Sequence, residues 1–158
     1  MFNQISNNNF PQKKTIHGNL IEKLRYGENP HQESAIYSIN DKLKINKIHG
    51  KSLSYNNYND IFAALTISRS LPKNVGTVIV KHSTPCGVSI DKNNLNSFKY
   101  AFNSDPISAF GGIVTCNFKI IAVLVAIVSL HAFLRAVLVA IVNPNAFLGA
   151  VLVAIVNP

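Results

Sequence analysis

The strongest constraint on the fold is an apolar run that leads directly into a lysine and a histidine, Thr-Val-Ile-Val-Lys-His-Ser-Thr-Pro-Cys-Gly at residues 77–87. Residues 77–80 are all β-branched, which predicts a strand buried on both faces, and the proline and glycine that follow predict its end. Inside a strand, Lys81 and His82 would point to opposite faces, so the predicted turn is what lets both reach one substrate atom. A proton-accepting histidine beside an oxyanion-stabilising ammonium suits acyl transfer to a weak nucleophile.

The charges are unevenly distributed along the chain. The net charge is +8 over 158 residues, but 14 of the 15 lysines and arginines and all seven acidic residues precede residue 120. The basic residues are scattered singly or in the pair Lys13-Lys14, which favours a solvated surface that attracts small anions over a nucleic-acid track. Two cysteines without disulfide spacing and a polar N-terminus predict a reducing, cytoplasmic location.

Residues 1–23 are polar and asparagine-rich, and we interpret them as a linker. Arg25 and Tyr26 follow in a loop that is shaped by Gly27 and by the turn-forming step Asn29-Pro30. A guanidinium in such a loop can grip phosphate oxygens in pairs, or it can simply be solvated, and the local sequence does not separate the two interpretations.

Apolar patterns between residues 34 and 116 predict the elements of an α/β domain. The predicted elements are a hairpin or meander of strands at 34–39 and 43–48, a helix capped by Asn59 or Asp60 and closed by Pro72, a strand at 75–80, a helix at 93–102 and a strand at 113–116. This order predicts an α/β layer whose strands are largely covered by helices.

From residue 120 the chain repeats Ala-Val-Leu-Val-Ala-Ile-Val with a period of fourteen, at 122–128, 136–142 and 150–156. No uninterrupted apolar run reaches the ~20 residues that a membrane span needs. β-Hairpins are the other structural alternative. Because the repeats are β-prone and almost uncharged, we expect an aggregation hazard with no designed function. A chain ending at residue 119 is therefore predicted to be more soluble than the whole.

Four motifs occur in a fixed order along residues 10–119. They are Leu-Arg-Tyr-Gly-Glu-Asn-Pro-His-Gln at 24–32, Gly-Lys-Ser-Leu-Ser-Tyr-Asn-Asn at 50–57, the segment 79–87, and Asp-Pro-Ile-Ser-Ala-Phe-Gly-Gly at 105–112. Together they resemble the transformylase domain of the bifunctional purine biosynthesis family. That family joins 5-aminoimidazole-4-carboxamide ribonucleotide (AICAR) formyltransferase to inosine monophosphate (IMP) cyclohydrolase. The resemblance implies a cytidine-deaminase-like three-layer α/β fold, present in part over residues 24–119 and followed by the apolar repeat tail, residues 120–158.

The resemblance also implies roles for individual residues. His82 corresponds to the base that takes a proton from the substrate amine, and Lys81 to the stabiliser of the transition state. The positions that correspond to nucleotide binding are Arg25, Tyr26, Asn56, Phe110 and Gly111. The implied substrate is AICAR, the implied co-substrate is 10-formyltetrahydrofolate, and the implied parent enzyme is a cytoplasmic homodimer that binds neither nucleic acid nor membrane.

The family pattern continues beyond this sequence on both sides. A cyclohydrolase domain is expected before residue 10 and a second α/β half after residue 119, so we expect a fragment that does not transfer formyl groups by itself. The competing classes are a small basic membrane-anchored protein with an apolar C-terminal tail and a small binding module.

Zinc is an alternative for the central segment, because His82, Cys86 and Cys116 are residue types that bind zinc in deaminases. The pattern lacks His-x-Glu, and Ser89 stands where the second cysteine of Pro-Cys-x-x-Cys would be. We therefore predict no metal.

Overall fold

The computed structural model describes residues 13, 15–39, 45–49, 52–118, 137–141 and 151–155, which contain eight strands and three helices. The strands are β1 (Asn19–Lys23), β2 (Ala35–Ser38), β3 (Asn46–His49), β4 (Gly76–Lys81), β5 (Thr84–Ile90), β6 (Ile113–Cys116), β7 (Val137–Ile141) and β8 (Val151–Ile155). The helices are α1 (Tyr55–Ser70), α2 (Asn94–Ser104) and α3 (Pro106–Ala109).

Strand β4 lies inside a six-stranded sheet with the order β3-β7-β8-β6-β4-β5. Every neighbouring pair of strands in this sheet is antiparallel. Val78, Ile79 and Val80 have no exposed surface. The prediction of a strand buried on both faces is therefore confirmed for β4.

Helices cover the two faces of the sheet around β4. On one face, Val78 and Val80 pack with buried side chains of α1, among them Ile61 and Leu65. On the other face, Ile79 packs with buried side chains of α2 and β6. Because successive side chains of a strand point to opposite faces, this division follows directly from the β-branched run. The predicted α/β class is confirmed, and the predicted helix cover is present on both faces of the sheet around β4.

The predicted hairpin or meander of the second and third strands is wrong. β2 pairs instead with β1, and β3 pairs with β7. β1 also lies within residues 1–23, the segment that the sequence favours as a linker. Short alternating runs identify strands, but they do not select a strand's partner, which depends on the tertiary fold.

Helix α1 begins at Tyr55, four residues before Asn59 and five before Asp60, the two predicted caps. Its N-cap is Ser54, whose hydroxyl accepts the Asn57 N–H, while the Asn57 side chain accepts the Ser54 N–H at 3.0 Å. This reciprocal pair is a capping box with asparagine in place of the usual glutamate. The prediction for α2 is confirmed, with Asn93 as its N-cap.

Two of the three apolar repeats form strands β7 and β8. The identical copies pair with each other in an antiparallel register in which Val139 faces Val153, and β8 continues the sheet from β6. The backbone of these copies thus lies in the same sheet as β4, although the sequence favours a separate tail. The first copy lies outside the described residues. None of the described helices is both long enough and apolar enough to cross a membrane.

Candidate active site

An open pocket of about 200 Å³ lies where four separated chain segments meet. It is lined by Arg25 and Tyr26 after β1, by Ser52, Ser54, Asn56, Asn57 and Asp60 around the start of α1, by Lys81 and His82 after the core of β4, and by Gly111 before β6. Six of the seven residues that the motifs single out line this pocket. The seventh, Phe110, is joined to it through its carbonyl oxygen, which accepts a hydrogen bond from Lys81.

The turn that carries His82 differs from the predicted one. Lys81 pairs with Thr84, so the connection between β4 and β5 is the two residues His82 and Ser83. Their φ angles are 51° and 59°, the left-handed conformation of a type I′ hairpin turn. Pro85 and the following glycine lie instead within β5, an edge strand, where proline is tolerated.

The left-handed turn stores conformational strain. A left-handed backbone costs about 1–2 kcal/mol for a residue other than glycine, and neither His82 nor Ser83 is glycine or asparagine. Such strain persists only where the surroundings hold it. The turn brings Lys81, the last residue of β4, and His82 to the same pocket. The predicted convergence of the two side chains is therefore present, although the turn that produces it lies earlier than expected.

Asp60 is a pocket residue to which the sequence assigns no role in the site. It lies within α1, it is only 8% exposed, and its carboxylate Oδ1 accepts the Ser83 N–H at 2.6 Å. A short bond of this kind to an ionised acceptor is stronger than a neutral one. The signal that could have found Asp60 is its position directly before Ile61, at the edge of the apolar stripe of α1, where a carboxylate needs a partner.

Lys81 is oriented by a backbone carbonyl. Its Nζ donates to the Phe110 carbonyl oxygen at 2.8 Å. Phe110 and Gly111 form the turn into β6, and Gly111 has a φ of 76°, which favours glycine. Asp105 caps α3 by accepting the Ser108 N–H at 3.0 Å. Hydrogen bonds from Ser108 lower the pKa of the Asp105 carboxyl, and the nearby charge of Lys81 lowers it further. The segment from Asp105 to Gly111 is therefore held near the Lys81 ammonium by the hydrogen bond to the Phe110 carbonyl and by the attraction between Lys81 and Asp105.

The Arg25-Tyr26 loop is fastened to the start of α1 by backbone bonds. The Arg25 N–H donates to the Leu53 carbonyl at 3.0 Å, and the Tyr55 N–H donates to the Tyr26 carbonyl at 3.1 Å. The Asn56 side chain donates to the carbonyl of Glu28 at 2.9 Å. Loop and helix therefore form one wall of the pocket.

The exposed Arg25 side chain is held against Tyr26. Its Nη2 donates to the Tyr26 hydroxyl at 2.9 Å, and its Cζ lies 4.7 Å from the centre of the Tyr26 ring. A guanidinium over an aromatic face gains a cation–π attraction. With an ammonium and an imidazole across the same pocket, the arrangement suits an anionic ligand.

The two cysteines have separate surroundings. Cys86 donates from Sγ to the Ile79 carbonyl at 3.6 Å, and partial burial raises the pKa of its thiol. Burial raises the pKa of Cys116, next to Thr77 in the core, to about 12. Among the residues that the structure describes, no three histidine, cysteine, aspartate or glutamate side chains cluster as they would around a metal ion.

Comparison with known proteins gives a consistent set of similarities. A model of the AICARFT/IMPCHase bienzyme family matches residues 1–149. The bifunctional purine biosynthesis protein PurH of Leptospira biflexa serovar Patoc is 46% identical over 114 residues, which are 72% of this chain and 22% of that protein. The proteins of the same name from Thermoanaerobacter sp. strain X514 and Listeria welshimeri are each 42% identical, over 118 and 119 residues, and the matches cover 72% of this chain and 23% of each relative. The chain thus spans less than a quarter of the length of these curated relatives.

Proposed function

The chain belongs to the AICARFT/IMPCHase bienzyme family, and from this membership we propose that its pocket is part of the site at which AICAR accepts a formyl group from 10-formyltetrahydrofolate. The observation that carries the proposal is the meeting of Arg25, Lys81 and His82, which are distant in sequence, around one pocket. Formyl transfer is proposed for the whole protein, of which this chain supplies the residues below. The homodimeric, cytoplasmic state stays an expectation from the family resemblance.

His82 acts as the base in this proposal. The 5-amino group of AICAR is conjugated with its imidazole ring and is a weak nucleophile, so removal of its proton during attack lowers the barrier most. An imidazole titrates near neutral pH and can accept that proton. The turn geometry supports this role, because it leaves the His82 side chain at the pocket rather than in the sheet.

Lys81 stabilises the negative charge that develops on the formyl oxygen. An ammonium has three N–H donors. One donor is engaged by the Phe110 carbonyl at 2.8 Å, which orients the group, and the others can address the oxygen. Donors that are oriented before the reaction need no reorganisation as the charge appears.

Arg25 holds the phosphate of the nucleotide. Its bond to the Tyr26 hydroxyl and its stacking on the Tyr26 ring fix the plane of the guanidinium. A fixed planar fork is suited to paired contacts with phosphate oxygens. Asn56, which is bonded to Glu28 and lines the same wall, supports the loop and can contact the nucleotide.

The finer fold assignment is also a proposal. We infer a partial cytidine-deaminase-like fold, supported by α1 on one face of the sheet and α2 on the other. The relatives are named as bifunctional proteins, and each is more than four times as long as the segment that matches this chain. Both activities are therefore proposed for the whole protein.

The phosphate role is tested by calorimetric titration of the chain with AICAR and with the corresponding riboside, which lacks the phosphate. We expect Arg25→Ala to weaken AICAR binding by about 10–100-fold and to leave riboside binding almost unchanged. Arg69→Ala is the matched control, because Arg69 is exposed in the last turn of α1 and does not line the pocket. An equal loss for both ligands would show that Arg25 supports the loop and does not bind the phosphate.

The role of His82 is tested in a full-length relative that carries the same motifs. Substitution of the histidine equivalent to His82 by alanine is expected to lower the rate of formyl transfer by ~10²–10⁴-fold with a much smaller change in AICAR affinity. If the rate is unchanged and AICAR binds more weakly, the histidine is a binding residue and the proposed base is wrong.

A further inference from the structure

We propose that Asp60 is a positioning residue that holds the His82-Ser83 turn in its left-handed conformation and so fixes the direction in which the His82 imidazole enters the pocket. The importance of this direction rests on the proposed function, in which His82 takes a proton from the substrate amine. Asp60 does not need to touch the substrate for this role.

The turn needs an external support. Two-residue hairpin turns with two positive φ angles favour Asn-Gly and Asp-Gly, because those residues tolerate the conformation. Here the φ angles of 51° and 59° belong to a histidine and a serine. The local sequence therefore does not select the turn, and a contact from elsewhere in the fold must do so.

The peptide group between His82 and Ser83 is held at both ends. Its N–H donates to the Asp60 carboxylate at 2.6 Å, and its carbonyl accepts a hydrogen bond from the Thr84 hydroxyl at 3.3 Å. Rotation of this peptide would turn the N–H away from Asp60 and break the shorter bond. Since this rotation changes ψ of His82 and φ of Ser83, the bond selects the peptide orientation in which Ser83 has its positive φ.

The carboxylate is a rigid anchor. Asp60 is 8% exposed, and the neighbouring Ile61 is fully buried in the core that joins α1 to β4. Because α1 packs on the strand that leads into the turn, Asp60 and the turn are held by the same rigid layer. Movement of His82 relative to the pocket is restrained by a group that is itself fixed.

The experiment uses NMR of the 158-residue chain, because a positive φ gives a strong intraresidue NOE between the amide proton and Hα. We expect Asp60→Ala to lose this NOE at Ser83, together with the change in the His82 ring resonances on addition of AICAR. Adding Ser83→Gly to Asp60→Ala is expected to restore the change in the His82 ring resonances, because glycine adopts a positive φ without cost. Asp60→Asn keeps an acceptor oxygen and is expected to keep the NOE.

Asn59→Ala is the matched control, since Asn59 is the exposed neighbour of Asp60 on α1 and does not line the pocket. A full NOE at Ser83 in Asp60→Ala would overturn the proposal. If Asp60→Ala does not fold, a folded double variant in which AICAR shifts the His82 ring resonances supports the proposal. A double variant that is unfolded, or folded without these shifts, assigns Asp60 to general stability and overturns the proposal. An absence of AICAR-dependent shifts in the unsubstituted chain would count against the proposed function, while the NOE comparison still decides the role of Asp60.

Discussion

Gly87 lies close against the backbone of α2, where that helix crosses the edge strand β5. A Cβ at this position would overlap the carbonyl oxygen of Ala101 and lie 2.7 Å from its carbonyl carbon. Both atoms belong to the backbone of α2, so no side-chain rotation can make room. Overpacking of a well-packed core costs typically 1–3 kcal/mol, occasionally more. We expect Gly87→Ala to lower the free energy of unfolding by about 3 kcal/mol, because α2 must move as a unit.

The measurement is urea unfolding followed by circular dichroism. With a typical slope of 1–3 kcal/mol per molar, the loss corresponds to a fall of roughly 1 M or more in the midpoint. Gly18→Ala is the control, because a Cβ there lies 3.3 Å from the nearest atoms of Ser38, and we expect a change within about 0.5–1 kcal/mol. Equal midpoints for the two variants would refute the close approach of α2 to β5.

Two further predictions concern α1. Burial and the hydrogen bond to Glu22 at 2.9 Å raise the pKa of Tyr58 above its usual value of 10.0. Because the folded pKa is raised, the contribution to stability is complete below pH ~10 and is lost as the pH rises further. Unfolding of Tyr58→Phe, followed between pH 8 and pH 11, should therefore show a weaker alkaline decline than that of the unsubstituted chain. Ser54→Ala removes the capping box and is expected to cost ~1 kcal/mol in the same urea assay at neutral pH, and an unchanged midpoint would show that the cap contributes nothing.

The core elements could be predicted from the sequence because each has a local pattern of apolar residues that is typical of one type of secondary structure. The β-branched run of β4 and the spacing of Phe98 and Phe102 in α2 each specify an element without reference to its neighbours. Strand partners could not be predicted in this way. β1, β2 and β3 are short, and their pairing depends on surfaces contributed by distant segments.

The candidate site shows the same division between local and tertiary information. The motifs single out Arg25, Lys81 and His82, and the fold brings these residues to one pocket. The position of the turn was not predictable, because proline and glycine are the usual turn signals and here they serve an edge strand. The left-handed His82-Ser83 turn depends on Asp60, which is 23 residues away from Ser83.

The sequence and the observed sheet make opposite predictions about how removal of the repeat tail changes the solubility of the chain. The sequence predicts that a chain ending at Lys119 is more soluble, because it removes three uncharged β-prone repeats. In the sheet, however, β8 pairs along Ile113–Cys116, all of which are buried, so the truncation would expose an apolar edge next to β4. Unpaired apolar edges recruit other chains, and each lost backbone bond costs about 1 kcal/mol. We therefore expect the truncated chain to bind more of a hydrophobic dye and to unfold at a lower urea concentration than the 158-residue chain. In a sedimentation assay, a larger fraction of the truncated chain should be aggregated. A truncated chain that is equally stable and more soluble would show that β8 does not support β6.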